Sequence, residues 1–158
     1  MAGPIATEAD AYGVIAFPNN FDRHLENGKK ATGASSALVT GRVVHLTNST
    51  GVWARATSGD LGRAGVVPKI YWGKNVNTDA SDECVIFTGL GGEVYAEASG
   101  PIKPGAKVTF GDGGTVKAWT SGLYIGVYKG HYGEGSAEEP PTDAASTDSV
   151  RIALERGT

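Results

Sequence analysis

Cysteine is nearly absent from this sequence. Cys84 is the single one among 158 residues, so no internal disulfide and no multi-thiolate metal site can form. No apolar run approaches the ~18 residues of a spanning helix. The first residues lack the charged-then-apolar order of a secretory signal. Positive charge is also scarce: 14 Lys and Arg stand against 17 Asp and Glu, for a net charge of −3. No basic stripe is present, which argues against nucleic acid as a partner. These shortages predict a protein made and kept in a reducing cytoplasm, with neither a membrane nor nucleic acid among its partners.

What the sequence does have is glycine, 24 residues of it, about twice the usual share. The glycines follow no three-residue period and fall between short apolar runs, the mark of many tight turns. Strands are expected at Gly41–Leu46, Val52–Ala56, Gly65–Tyr71, Cys84–Gly89, Glu93–Ala98, Lys107–Gly111, Thr115–Trp119, Leu123–Lys129 and Val150–Leu154. In "KVTF" and "TVKAW" the apolar residues alternate, and "GDGG" between them is a hairpin signal. Residues 1–40 differ: apolar residues there follow no period. One helical turn is expected at Asn20–Glu26, and the rest of residues 1–40 reads as an extended N-terminal arm.

The chain also resembles itself. "GVWARATSG" (51–59) matches "GTVKAWTSG" (114–122), and "GRVVHL" (41–46) precedes the first as "GAKVTF" (105–110) precedes the second. A Gly-Val pair follows each, at Gly65-Val66 and Gly126-Val127. Both copies reach Thr-Asp-Ala, at Thr78 and Thr142, and "ASDECVIFTGLGG" then lies against "ASTDSVRIALERG" with Val85 opposite Val150. Residues 41–92 and 105–157 therefore read as diverged copies of one four-strand unit. A short meander leaves two edges and one apolar face open. Two such units joined edge to edge would make a small antiparallel β-barrel or β-tulip-like domain over residues 41–158, with Glu93–Ala98 as an added strand.

Motifs for chemistry fail one by one. "GDGGT" lacks the Gly-Lys-Ser/Thr ending of a phosphate loop, and "GLGGE" has Val94 where a dinucleotide fingerprint needs Gly. Asn75, Asn77 and Asp79 have calcium-loop spacing, but Ala80 replaces the turn glycine and Ile86 the bidentate Glu. His24, His45 and His131 share no zinc spacing. "GASSA" is not a nucleophile elbow. Cys84 opens an apolar strand and reads as a buried thiol. "EGSAEEPPTD" (134–143) reads as a solvated loop. No enzyme activity, cofactor or metal is expected. Trp53, Trp72 and Trp119 remain as aromatic anchors or core residues; as a stacking platform they would suit a carbohydrate- or receptor-binding β module, the alternative reading.

The run "TGRVVHLTNSTGVWARATSGDLGRAGVV", then "AEASGPIKPGAKVTFGDGGTVKAW" and "DSVRIAL", resembles the capsid decoration (cement) proteins of tailed bacteriophages. The shared rhythm falls on Gly41, Val44, Gly51, Val52, Ala56, Gly65 and Val66, then on Gly100, Ile102, Gly105, Val108, Gly114 and Val116, within Thr40–Leu154. The ~40 residues in front of it and the "EGSAEEPP" insertion depart from the family pattern. The resemblance implies a structural virion protein on the capsid surface. It would cement neighbouring major capsid protein subunits as a homotrimer at local three-fold axes. Such an arm can add a strand to a partner's sheet edge. Ile5, Tyr12, Val14, Ile15 and Phe17 are the arm's candidate partner-binding residues, and removal of residues 1–30 is expected to leave the barrel folded.

Overall fold

The computed structural model describes residues 25–31, 38–47, 50–68, 75–90 and 92–157. Within them the protein is all-β, with ten strands and no helix: β1 (Leu25–Lys29), β2 (Val43–Leu46), β3 (Trp53–Arg55), β4 (Ala64–Val66), β5 (Glu83–Phe87), β6 (Glu93–Glu97), β7 (Lys107–Gly111), β8 (Thr115–Ala118), β9 (Tyr124–Gly130) and β10 (Ser149–Gly157). They form two five-stranded antiparallel sheets, ordered β1-β5-β4-β2-β3 and β6-β10-β9-β7-β8.

The two orders are the same order. β6 to β10 occupy in the second sheet the places of β1 to β5 in the first, so the repeat has five strands, not four. The added strand expected at Glu93–Ala98 is the first strand of the second copy. Its counterpart, β1, lies in the stretch expected to be arm, and Leu25 and Glu26 are strand instead of helical turn. β1 pairs through five residues, from Leu25 opposite Phe87 to Lys29 opposite Glu83. Tertiary pairing outweighs the weak Phe21–Leu25 helical spacing. A cut after residue 30 would remove this strand.

Register confirms the duplication in detail. Val44 faces Gly65 and Val43 faces Val66 in the first copy; Val108 faces Gly126 and Lys107 faces Val127 in the second. Gly65 and Gly126 are both needed for close approach: a Cβ on Gly65 would overlap Ile86 Cγ2, and one on Gly126 would come within 2.5 Å of Ile152 Cγ2. Gly51 and Gly114 share positive φ, at 65° and 75°, as do Gly59 and Gly122, at 94° and 79°. The last strands correct the sequence alignment by one residue. Val66 lies opposite Phe87 and Val127 opposite Ala153. Cys84 therefore corresponds to Val150 and Ile86 to Ile152, where the ungapped alignment set Val85 against Val150. A one-residue slip exchanges the two faces of a strand.

Among the described residues no ladder joins the two sheets, so the copies do not share an edge as expected. Each sheet instead brings its own edges together at one parallel bridge, Lys30 with Trp53 in the first and Ala98 with Val116 in the second. The copies meet through side chains and one turn. Val43, Val66 and Phe87, cross-strand neighbours on one face of the first sheet, join the cluster of Val94, Val108, Phe110, Val116 and Ile152 in the second. Burial of each such side chain contributes about 1.5–3 kcal/mol. The opposite face of the first sheet closes over its own cluster of Leu38, Val44, Trp53, Val67, Cys84 and Ile86. The Gly111–Gly114 turn abuts the first copy: Val43 N–H donates to Gly114 O (2.8 Å) and Gly114 N–H to Ala56 O (2.9 Å). Ser58 N–H donates to Asp112 Oδ1 (2.9 Å), Lys117 Nζ bonds Ser58 Oγ, and Arg42 pairs with Glu97 (3.2 Å).

Candidate interaction surface

The described parts of the β4–β5 and β9–β10 connections are each held by a basic side chain of their own copy. In the first, the Asn75–Asp82 loop wraps the side chain of Lys30, whose Nζ donates to Val76 O (2.8 Å) and Asp79 O (2.9 Å), with Asp79 Oδ1 at 3.5 Å. The Lys30 side chain is only 2% exposed. Asn77, wholly buried, takes the place of a strand partner for Val85: it accepts from Val85 N–H (2.7 Å) and donates to Val85 O (3.0 Å). Asn75 and Asp79 cap backbone N–H groups of Asn77 and Ser81. The calcium-like spacing in the sequence thus serves turn capping and an internal ammonium.

In the second, His131 sits between two carboxylates. Its Nδ1 lies 2.9 Å from Glu134 Oε1 and its Nε2 lies 2.9 Å from Asp148 Oδ2. Glu134 also accepts from the N–H groups of His131 (2.7 Å) and Thr142 (3.2 Å) and from Thr142 Oγ1 (2.8 Å). Asp148 accepts from Ala145 N–H (2.8 Å). Burial works to raise the Glu134 carboxyl, but these hydrogen bonds prevail and hold it at about 2. Burial likewise opposes, and hydrogen bonds from Ala145 and His131 outweigh, in the lowered Asp148. Tyr128, whose hydroxyl donates to Thr142 O (2.8 Å), is pushed up by burial and by Glu134. The two acids address opposite ring nitrogens, so they do not converge on one ion. Among the described residues no group of three His, Cys, Asp or Glu is placed to hold a metal.

The other candidates fall apart from these. Cys84 is buried, and burial raises its thiol to about 11 against the pull of Lys30, which leaves it without thiolate character. His45 Nε2 lies 3.1 Å from Asp60 Oδ2, and its ring meets Phe110 edge-on. Trp53 is in the core at 1% exposure. Trp119 is half-buried; its Nε1 donates to Gly122 O (2.8 Å), and Lys107 Nζ lies 5.0 Å from its ring and 4.4 Å from that of Tyr124. Ile5, Tyr12, Val14, Ile15, Phe17, His24 and Trp72 lie outside the described residues.

A small cleft opens between the sheets, lined by Leu123, Ile125 and Leu154 and by Leu90, Arg63 and Arg156. Its lining includes no histidine, cysteine or aspartate. Arg63 is engaged by Glu26 in a two-toothed pair at 3.0 and 2.8 Å, and the hydrogen bond from Arg63 draws the Glu26 carboxyl down. Leu90 and Leu61 are exposed at 66% and 64%, and Arg156 Nη2 donates to Leu61 O (3.4 Å). Thr88 and Glu155 complete the polar lining of the cleft, beside the apolar Leu90, Leu123, Ile125 and Leu154.

The sequence foresaw the burial of Cys84 but not the His131 pair of acids. The signal was present as His131-x-x-Glu134 in a turn. Its third member, Asp148, comes from the far end of a long loop, which spacing does not reveal. Neither a protein-family model nor a curated protein matches the chain. No helix of the described residues is long and apolar enough to cross a membrane.

Proposed function

We propose that this chain is a non-enzymatic structural protein that attaches to the outside of an assembled phage capsid and cements neighbouring major capsid protein subunits, as a homotrimer at local three-fold axes. The resemblance in Thr40–Leu154 supplies the capsid. The observation that carries a binding role over a catalytic one is how the described histidines and buried charges are used: His45, His131 and Lys30 are each engaged inside the protein and none borders the cleft. Among the described residues, Leu61, Leu90, Val39 and Tyr132 are the large apolar side chains left exposed. A ligand of the assembled shell stabilises that shell by binding it alone, and many copies act together by multivalency. Attachment is assigned to residues 1–24, with Ile5, Tyr12, Val14, Ile15 and Phe17 as anchors, and stiffness to the two sheets. Localisation is then to the virion surface, with no nucleic acid or membrane contact.

The test uses capsids assembled without the protein. The full chain should co-sediment with them and raise their resistance to heat. A chain lacking residues 1–22, which keeps β1, should fold and fail to bind. No binding by the full chain removes the capsid reading; undiminished binding by the shortened chain removes the arm assignment. The carbohydrate alternative draws on Trp119, the half-buried member of the described pair. Quenching of its fluorescence by a glycan panel would favour that reading.

A further inference from the structure

Two carboxylate oxygens face the two nitrogens of one imidazole, each at 2.9 Å. A neutral imidazole carries one N–H, so only one of these contacts is then a hydrogen bond; the other sets a lone pair against a carboxylate. Both contacts are favourable only for the imidazolium. We propose that the Gly130–Asp148 loop is a proton-operated latch, shut while His131 carries both ring protons and loosened when one is lost.

The groups that face the ring come from every element around it. Glu134 and Thr142 belong to the loop, and Thr142 Oγ1 is 3.3 Å from Nδ1. Asp148 stands at the entry to β10. Tyr128 of β9 places its hydroxyl 3.2 Å from Nδ1 and its ring edge-on to the imidazole. Arg151 of β10 donates to Glu134 O (2.9 Å) and Lys129 O (3.1 Å), and so fixes the backbone behind the acid. Asp143 is taken up by Lys103 at 3.1 Å. No other cation reaches the two acids' contacts with the ring among these groups, so loss of the imidazolium charge leaves two carboxylates around a neutral ring.

Electrostatics set the direction. Burial alone would lower the His131 value, but the hydrogen bonds its ring donates to Asp148 and Glu134 outweigh it and raise it above the ordinary histidine value. A raised folded-state value means that the contribution is complete below the ordinary histidine range and is lost as pH climbs through the raised value. The duplication provides an internal control. The first copy pins its equivalent loop with Lys30, whereas histidine is the side chain whose charge ordinarily changes between pH 5 and 8. The twin loops are thus held by side chains of different chemistry, an amine in the first and an imidazole in the second. The surface that the latch controls includes Tyr132, which is 51% exposed.

Hydrogen exchange of the full chain at pH 6 and pH 9, corrected for intrinsic rates, tests this. Protection of the His131, Thr142 and Ala145 amides should fall by about tenfold at the higher pH, with the Asn75–Asp82 loop unchanged. In His131→Gln the protection should be the same at both values. Equal protection in the native chain, a pH response that survives in His131→Gln, or an NMR titration midpoint for His131 at or below 6.5 would overturn the latch. The titration is read on the native chain, so it decides even where the variant does not fold.

Discussion

Gly28 lies under the indole of Trp53, so close that a Cβ there would stand 2.7 Å from Cδ1 and Nε1. In the second copy the corresponding positions, fixed by the shared bridges and ladders, are Ala96 and Val116. A large side chain with a glycine has been exchanged for a small one with an alanine. The residue with the larger side chain stands against glycine and the one with the smaller side chain against alanine, so the two positions change together.

Gly28→Ala should therefore destabilise the protein by about 1–3 kcal/mol, the usual cost of forcing a methyl into a packed core. Trp53→Val alone opens a cavity and should cost at least as much. The double variant, which copies the second repeat, should recover part of the loss, because residues in contact do not act additively. Urea denaturation of the four proteins measures the coupling. Strictly additive losses would show that the two positions do not share one space.

This compensation explains what sequence comparison saw and what it missed. The hairpins "GVWARATSG" and "GTVKAWTSG" align because their turn glycines, Gly51 with Gly114 and Gly59 with Gly122, require positive φ in both copies. Backbone demands of that kind are written in residue identity. β1 and β6 share no such demand, and their side chains answer to different neighbours. Leu25 and Asn27 of the first copy correspond to Glu93 and Tyr95 of the second. Likewise Val43 and Phe87, packed onto the second sheet, correspond to Lys107 and Ala153, which cover nothing comparable. Position in the stack, and not the fold, set those residues, so the fifth strand was illegible. The candidate site was less legible still: Lys30 and His131 find their partners across loops, by contacts that no period encodes.

The Lys30 pin makes a second prediction. Lys30→Met removes the donor for Val76 O and Asp79 O and leaves both carbonyls to a pocket that is 2% exposed at the side chain it held. A loss of about 2–3 kcal/mol is expected from unmatched buried acceptors. Limited proteolysis should then cut between residues 75 and 82 first. Added calcium should not restore resistance, because Asp79 is committed to capping Ser81 and Asp82 faces outward to Lys29. Restoration by calcium would revive the ion-binding reading of this loop.

Thr147 is the one non-glycine described with positive φ, at 74°. A β-branched side chain pays for this conformation, at about 1–2 kcal/mol. The strain is held by Thr147 N–H to Ala98 O (2.7 Å) and by the turn from Ala145 to Asp148. Thr147→Asn, which tolerates the left-handed region, should raise the melting temperature by a few degrees. An unchanged or lower value would mean that the threonine side chain contributes more than its backbone costs.

The acid side of the loop has its own signature. The Glu134 carboxyl is held at about 2 by the amides of His131 and Thr142 and by the Thr142 hydroxyl, against the opposing effect of burial. A depressed folded-state value contributes stability that is fully present above the unfolded value and is lost as pH falls through the folded one. For Glu134 that window runs from about 4.5 down to about 2. Asp148 is lowered as well and adds to the same slope. Glu134→Gln keeps an oxygen for the two amides but has no proton to gain. The variant should be less stable than the native chain at pH 6, where the carboxylate also faces the imidazolium. The difference should shrink steadily below pH 4.5 as the native carboxyl approaches protonation. Guanidinium midpoints taken at pH 6, 4 and 3 give the slope directly. A gap that stays constant across those three values would place the carboxylate's contribution outside the folded loop.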